Sequence, residues 1–259
     1  MSVSASASPG PRLVVAAHLD DLIARAAAHL RTAAAAAIAA HGRFRIALAG
    51  GSTPRALYPA LVTGIDWTRA TIFFGDERAV GPDDSQSNYR MARETLLDPA
   101  GVPVESIVRW RGEAPDLDAA ARDYERALTA RAAPPWLDLA LLGLGPDGHT
   151  ASLFPGTSAL AEESRLAVAV DVPAHGTRRL TLTYPALCGA REICFLVTGR
   201  DKASALAAVL GRPVGDLPAT RIMRAPNPVT VFCDTEAAGA LPAETRRALE
   251  AAAKPGAAP

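Results

Sequence analysis

Residues 141–156, LLGLGPDGHTASLFPG, place a histidine directly behind three glycines that are spaced as G-x-G-x-x-G. The spacing matches the phosphate loop of dinucleotide-binding proteins, but that motif also requires an acidic residue at the end of the next strand. Here Pro146 follows the second glycine, and the acids of the later segment AEESRLAVAV come before the predicted strand. The pattern therefore favours a tight turn that presents His149, with a nicotinamide-dependent dehydrogenase as the alternative.

His149 is the candidate general base, because an imidazole that is neutral near pH 7 can take a proton from water. We predict that it lies in the first turn of a short helix, whose positive dipole end disfavours the imidazolium form. Asp147 is expected to fix the turn through backbone N–H groups or to orient a substrate hydroxyl. The other four histidines are assigned no role. No two histidines have metal-ligand spacing, so we expect no metal.

A second glycine-rich turn lies in ALAGGSTPRAL, residues 47–57. Gly50 and Gly51 let the backbone approach a ligand closely. Ser52 or Thr53 is expected to cap the helix that follows, and a helix N-terminus at a strand end suits an anion. No P-loop lysine follows, which excludes a Walker motif. We expect this turn to bind phosphate; a well-capped helix without a ligand is the alternative.

Cations in three further segments are expected near the same edge of the sheet. Arg78, in FFGDERAV, is expected to face the same cleft as His149 and to pair with an anionic group, although charges at a strand end are also typical of a solvated turn. RRLTLT and VTGRDK add Arg178, Arg179 and Lys202. The chain has 27 basic and 27 acidic residues and no net charge. Cations gathered at one cleft therefore predict a small phosphorylated ligand.

These loops need a scaffold that brings them to one edge. Short apolar runs alternate with helical stretches, and several runs are continuously apolar, which is typical of strands covered by helices on both faces. We therefore predict an α/β fold: a Rossmann-like, doubly wound, mostly parallel sheet with helices on both faces, in a single domain. Ligands of such sheets bind beyond the carboxyl ends of the strands.

The predicted elements cover most of the chain. Strands are expected at 12–16, 45–50, 70–75, 137–145, 166–170, 179–183, 192–199 and 229–233, and helices near 18–41, 54–63, 86–97, 117–132, 201–211 and 242–253. One domain is expected over 12–252, between a flexible N-terminus at 1–11 and a flexible tail at 253–259.

Composition narrows the class of protein. Hydrophobic residues make up 49% and charged residues 21%, as in soluble globular enzymes. The start of the chain lacks a signal-peptide pattern, and charged residues interrupt the apolar stretch 22–40, which is expected to form an Ala-rich helix rather than a membrane span. Three cysteines outside any C-x-x-C spacing predict buried thiols in a reducing compartment. We expect a cytoplasmic protein that binds neither nucleic acid nor membrane.

Five segments together resemble the 6-phosphogluconolactonase family, in the order that the family has them. They are AGGSTP, FFGDERAVGPDDSQSNYRMARETLL, LLGLGPDGHTASLFPG, RRLTLTYPAL and FLVTGRDKASAL. The resemblance runs from about residue 12 to 250. It implies a Rossmann-like fold without a nucleotide or other cofactor, no metal requirement, and hydrolysis of 6-phospho-D-glucono-1,5-lactone to 6-phosphogluconate. The expected partner is thus a small phosphorylated sugar lactone, and the protein is expected to be a monomer or a weak homo-oligomer.

The resemblance also implies roles for single residues. The histidine of the family's G-x-D-G-H-T motif falls on His149, expected to activate water, and the arginine of its D-E-R motif falls on Arg78, expected to contact substrate. The glycine turn falls on residues 50–52, and Arg179 and Lys202 are expected near the phosphate. No G-x-S-x-G nucleophile elbow is present, so no covalent intermediate is expected.

Glucosamine-6-phosphate deaminase is a related alternative that shares the fold, the glycine turn and the D-G-H loop. It reads D-E-Y where this chain reads D-E-R, and its glutamate five residues after the histidine falls on Phe154, which favours the lactonase. Asp76 matches the deaminase's proton-abstracting aspartate, so a structural or substrate-orienting role is open, as is the role of Arg178. A non-catalytic sugar-phosphate-binding protein is a third alternative, which the retention of His149 disfavours.

Overall fold

Nine strands and eight α-helices are present in a computed structural model that describes residues 10–211 and 217–252. The strands are β1 (Arg12–Ala16), β2 (Phe44–Leu48), β3 (Ala70–Phe74), β4 (Asp76–Arg78), β5 (Leu139–Gly143), β6 (Ala167–Val172), β7 (Thr177–Leu182), β8 (Glu192–Val197) and β9 (Val229–Asp234). The helices are α1 (Leu19–His41), α2 (Ser52–Leu61), α3 (Asn88–Ala92), α4 (Leu117–Arg131), α5 (Tyr184–Cys188), α6 (Ala203–Gly211), α7 (Pro218–Met223) and α8 (Ala243–Ala252). Of the ends predicted to be flexible, 1–9 and 253–259 lie outside the described residues.

The main sheet contains six parallel strands in the order β1-β9-β8-β5-β2-β3. The chain steps outward from β2 to β3, returns to β5 on the other side of β2, and continues to β8 and β9. The strand order therefore reverses between β2 and β5, and that switch point is where ligands of doubly wound sheets bind. The predicted α/β fold with a mostly parallel sheet is confirmed.

A second, antiparallel sheet of three strands, in the order β4-β7-β6, was not foreseen. The segments predicted as strands at 166–170 and 179–183 form β6 and β7 of this sheet. Only a short turn separates them, ending at Gly176 with φ of +58°. A short connection suits an antiparallel hairpin, whereas a parallel crossover needs a dozen or more residues.

The predicted helix after β5 is wrong. Beyond β5 the chain makes successive turns, and Thr150 and Leu153 form an isolated antiparallel bridge. The next helical turn is a short 3₁₀ segment at Ser158–Ala161. Glycine and proline are poor helix formers, and residues 143–156 contain four glycines and two prolines. His149 therefore lies in a loop, and the helix-dipole argument for its neutral form does not apply.

The longest helix, α1, is the only one among the described helices whose length and mean hydropathy would allow it to cross a membrane. Its inner face, which includes Leu22, Ala26 and Leu30, is fully buried in the core of the domain. Packing of that face accounts for part of the apolar composition of the helix. The expectation of an Ala-rich helix over 22–40 is confirmed, and all three cysteines are free thiols, with Cys194 and Cys233 buried.

Candidate active site

A cleft of about 220 Å³ opens at the carboxyl end of the parallel sheet. Its walls come from the segments that follow β2, β3, β5 and β8, together with β7 of the antiparallel sheet. Every residue singled out from the sequence lines this cleft except Asp147, which contacts the cleft residue His149, and Arg178. The predicted residues that line the cleft are Gly50, Gly51, Ser52, Thr53, Asp76, Arg78, His149, Arg179 and Lys202.

His149 is held by the carboxylate two residues before it. Its Nδ1 lies 2.5 Å from Oδ1 of Asp147, and its backbone N–H donates to the same oxygen at 3.1 Å. An ionised carboxylate can only accept, so Nδ1 donates to Asp147, and in the neutral tautomer with this hydrogen bond Nε2 carries the free lone pair. Partial burial raises the pKa of Asp147, but the hydrogen bonds from His149 outweigh it, and the pKa lies below its usual value.

Two glycines of the His149 loop are required by packing rather than by a nucleotide. A Cβ on Gly145 would lie 2.0 Å from Nδ1 of His149 and 2.7 Å from the Asp147 carboxylate. Gly148 has a φ of +79°, and a Cβ there would clash with the side chain of Leu217. The imidazole thus requires Gly145, and the backbone conformation and Leu217 require Gly148, whereas a Cβ on Gly143 would meet no neighbouring atom.

The imidazole of His149 also stacks on an aromatic ring. The ring centroids of His149 and Phe154 are 4.0 Å apart, with an angle of 25° between the planes. The guanidinium carbon of Arg179 lies 5.8 Å from the Phe154 centroid, and His175 meets the same ring edge-on at 5.2 Å. Phe154 therefore contacts both the candidate base and a cation of the cleft.

The glycine turn after β2 leads into α2, but no side chain caps this helix. The cap residue is Gly51, with φ of +103° and no side-chain hydrogen bond, so the expected capping by Ser52 or Thr53 is wrong. The Thr53 hydroxyl instead lies 2.7 Å from the hydroxyl of Thr198. The N–H groups of the first turn of α2 therefore remain available to an anion in the cleft.

Two arginines face each other across the antiparallel sheet. Arg78 of β4 and Arg179 of β7 are directly paired, and both line the cleft. Within the described residues neither forms a salt bridge: Arg78 donates to the Gln86 carbonyl, and its buried Nε has no partner. Burial lowers the pKa of Arg179. The negative charge of Asp76 raises this pKa, and the positive charge of Arg78 lowers it further, so that the net shift is downward. Like charges held this close favour an anionic ligand between them.

The neighbouring Arg178 points away from the cleft, because successive side chains of a strand alternate between faces. It pairs with Asp171 at 2.9 Å and with Asp118 at 3.4 Å. Lys202, in contrast, lines the cleft and has an ion pair of 3.0 Å with the exposed Asp201. The open question about Arg178 is answered in favour of a surface ion pair.

Asp76 and Glu77 are both buried, which sequence reasoning did not foresee for a charged strand end. The Asp76 carboxylate accepts from the Ser152 hydroxyl at 2.6 Å and from the Asn88 amide at 3.1 Å. Glu77 accepts from the backbone N–H groups of residues 78, 88 and 89, so it holds the start of α3. Burial raises the pKa of Glu77, and these backbone hydrogen bonds oppose the increase.

Asn88 is a cleft residue that sequence reasoning missed. Its amide nitrogen donates to the carbonyl and the carboxylate of Asp76, while its Oδ1 is buried without a partner among the described residues. That oxygen occupies the space that a Cβ on Gly50 would take, at 2.0 Å. The first glycine of the turn is therefore required by the Asn88 side chain. The only signal of this residue in the sequence is its polar type within the segment SQSNYR.

One group of potential metal ligands occurs in the described part of the chain, formed by His29, Glu192 and Cys194. It lies outside the cleft, and Nε2 of His29 already forms a 2.6 Å hydrogen bond with Glu192.

Sequence comparison gives a family match over most of the chain. Residues 17–231 match a family model described as glucosamine-6-phosphate isomerases/6-phosphogluconolactonase. The chain is 43% identical over 204 residues to the 6-phosphogluconolactonase of Mycobacterium tuberculosis, which covers 74% of this chain and 83% of that protein. It is 39% identical over 234 residues to the 6-phosphogluconolactonase of Mycobacterium leprae, covering 85% and 94%.

Solved structures agree with the sequence matches. The 6-phosphogluconolactonase of Trypanosoma brucei superposes with a TM-score of 0.80 at 28% identity, covering 90% of this chain and 99% of that one. A monomeric glucosamine-6-phosphate deaminase superposes with a TM-score of 0.75 at 21% identity, covering 88% and 99%, which is a likeness of fold alone.

Proposed function

The chain belongs to the glucosamine-6-phosphate isomerase/6-phosphogluconolactonase family, and we propose that it hydrolyses 6-phospho-D-glucono-1,5-lactone to 6-phosphogluconate. This is an ester hydrolysis in the oxidative branch of the pentose phosphate pathway. One observation carries the proposal: an imidazole with its Nδ1 held by Asp147 lines the same cleft as Arg78, Arg179 and Lys202.

His149 acts as the general base. Its Nε2 takes a proton from a water molecule, whose oxygen attacks the lactone carbonyl carbon. Asp147 holds the imidazole in the tautomer that leaves Nε2 free, and it stabilises the imidazolium that forms. The ring C–O bond then breaks, and the leaving ring oxygen receives the proton back from His149. No covalent intermediate with the protein is needed.

The cations of the cleft supply binding and charge stabilisation. Arg78 is the candidate for the oxyanion that develops on the carbonyl oxygen, because its side chain lines the cleft and has no carboxylate partner among the described residues. The phosphate is bound by Arg179, Lys202 and the N-terminus of α2, with residues 50–53 approaching it through the backbone. Anchoring the phosphate positions the carbonyl near His149.

Asp76 has a structural role in this proposal and does not abstract a proton from the substrate. Both of its carboxylate oxygens are occupied, one by Ser152 and one by Asn88, so it orients neighbouring cleft residues. The deaminase alternative is further disfavoured by Phe154, whose ring stacks on His149 and offers the imidazole no carboxylate.

The test is a direct assay of the purified protein with lactone generated from glucose 6-phosphate. We expect disappearance of the lactone well above its spontaneous rate, no ammonia release from glucosamine 6-phosphate, and no binding in a titration with NADPH. A lactone half-life equal to that of buffer alone would contradict the proposal, and ammonia release would favour the deaminase. A cytoplasmic location and a monomeric or weakly associating state remain predictions.

A further inference from the structure

Phe154 is in contact with two functional groups of the cleft at once. Its ring stacks on His149 with 4.0 Å between centroids, and the guanidinium carbon of Arg179 lies 5.8 Å from the same centroid. The Phe154 side chain is itself fixed, since the residue is only 4% exposed. A rigid aromatic ring in contact with both a base and a cation constrains the position of both.

His149 has few other restraints. It lies in a loop without a helix, its side chain is 25% exposed, and its side chain has one hydrogen bond, to an Asp147 that is itself largely exposed. The hydrogen bond at Nδ1 and the packing over Gly145 both restrain the Nδ1–Cε1 edge of the ring. Stacking on Phe154 adds a restraint on the ring face, which sets the plane of the imidazole.

Arg179 is similarly unrestrained by hydrogen bonds. Its guanidinium has a single long contact, 3.4 Å to the Thr177 hydroxyl, and no carboxylate partner among the described residues. A cation over the face of an aromatic ring is attracted by its quadrupole. The Phe154 face therefore keeps Arg179 in the cleft despite the opposing charge of Arg78.

We propose that Phe154 is the positioning residue of this site: its ring aligns the His149 imidazole for proton transfer and holds Arg179 for the substrate phosphate. This rests on the proposed function and assigns Phe154 no contact with the reacting atoms. The rim residue His175 meets the ring edge and is not required by the proposal.

The test compares Phe154→Leu with Phe154→Tyr by steady-state kinetics on 6-phosphogluconolactone. Leucine fills much of the space but removes the aromatic face, so we expect kcat to fall roughly tenfold to a hundredfold, the effect of a misplaced catalytic group. KM should rise severalfold, since Arg179 loses its support. Tyrosine keeps the ring and should restore both constants to within about threefold of wild type.

A double variant separates the two contacts. In an Arg179→Met background, Phe154→Leu should still lower kcat but should raise KM no further, because no guanidinium remains to be held. A matched control is Phe232→Leu, since Phe232 is as buried as Phe154 and meets a histidine, His29, outside the cleft. That variant should keep wild-type kcat and KM in its folded fraction.

Several results would overturn the proposal. An unchanged kcat in Phe154→Leu, a KM increase that adds fully to that of Arg179→Met, or a failure of tyrosine to restore activity would each do so. Thermal unfolding of every variant identifies a loss of activity that comes from misfolding alone. If Phe154→Leu does not fold, the kinetics of Phe154→Tyr decide whether the proposal holds. An inactive wild-type protein would instead refute the proposed function.

Discussion

The two ends of the parallel sheet differ in whether their charged side chains are paired within the protein. At the amino end, the buried Asp138 accepts from the backbone and side chain of Arg45, lies 3.0 Å from His41 and pairs with Arg191 at 3.3 Å. At the carboxyl end, Arg78 and Arg179 face each other without a carboxylate partner in the described part of the chain. A charge cluster that is paired within the protein makes the fold sensitive to the loss of any one partner, whereas an unpaired cation is available to an anionic ligand.

Each end also contains a histidine beside an aspartate. His149 is 2.5 Å from Asp147, and His41 is 3.0 Å from Asp138. The two pairs are chemically alike, so their different surroundings decide what each does. His149 lines a cleft with unpaired cations, whereas the partner of His41 is already bound by two arginines. The following predictions test this contrast.

The largest effect is expected from removing the imidazole of the cleft. His149→Gln should lower kcat/KM for the phosphorylated lactone by about 10²–10⁴-fold, the usual contribution of a general base. His41→Gln is the matched control and should keep wild-type kcat/KM. A His149→Gln enzyme that folds and retains more than a tenth of wild-type activity would remove His149 from the role.

At the amino end, Asp138→Asn should lower the free energy of unfolding by about 3 kcal/mol, because it leaves buried and half-buried cations without their counter-charge. Urea denaturation measures this loss. The activity of the folded fraction should be unchanged, because this edge does not contribute to the cleft. If Asp138→Asn had the same free energy of unfolding as wild type, the Asp138 cluster would contribute no more to stability than surface ion pairs do.

Arg179→Met should weaken binding of the phosphorylated lactone roughly tenfold to a hundredfold, as expected for loss of one charge-assisted hydrogen bond. The effect on plain gluconolactone should be much smaller. Its control is Arg178→Met, which removes an adjacent cation whose side chain pairs with Asp171 and Asp118 outside the cleft. Equal losses for both substrates would mean that Arg179 does not recognise phosphate.

The smallest effect concerns the pH dependence of stability. The pKa of Asp147 in the folded protein lies below its usual value of 3.8, so its ionised form stabilises the fold. This contribution is complete above about pH 5 and is lost as the pH falls through the folded pKa. Thermal unfolding of wild type and Asp147→Asn should therefore differ slightly at pH 6, and the difference should shrink as the pH falls below 3.8 towards the lower pKa of the folded protein. A difference independent of pH would contradict the assignment.

Local patterns predicted much of the fold and of the cleft. The parallel strands follow from continuous apolar runs, and the ends of α1 and α4 lie within one residue of their predicted positions. Residues at strand ends were placed together because a doubly wound sheet gathers those ends at one edge. This reasoning ignores the direction of side chains, so it predicts both Arg178 and Arg179 at the cleft. The two are distinguished only by the alternation of side chains along β7, which directs Arg178 away from the cleft.

The two failures have different physical causes. The predicted helix after β5 is absent for a local reason, because the glycines and prolines of residues 143–156 disfavour a helix. The expected side-chain cap on α2 is absent because Thr53 bonds to Thr198, which is 145 positions away in the chain. Glu77 is another example, since a carboxylate in a run of charges is buried only because α3 returns to it.

The sequence by itself determined the class of fold, the edge at which the functional loops meet, and the residue types available there, because these depend on local periodicity and on the geometry common to parallel sheets. The tertiary structure alone decided which charges are paired and which are open, how the His149 ring is oriented, and that Phe154 contacts both this ring and Arg179. Those properties depend on side-chain geometry and on contacts between elements, which no local sequence pattern encodes.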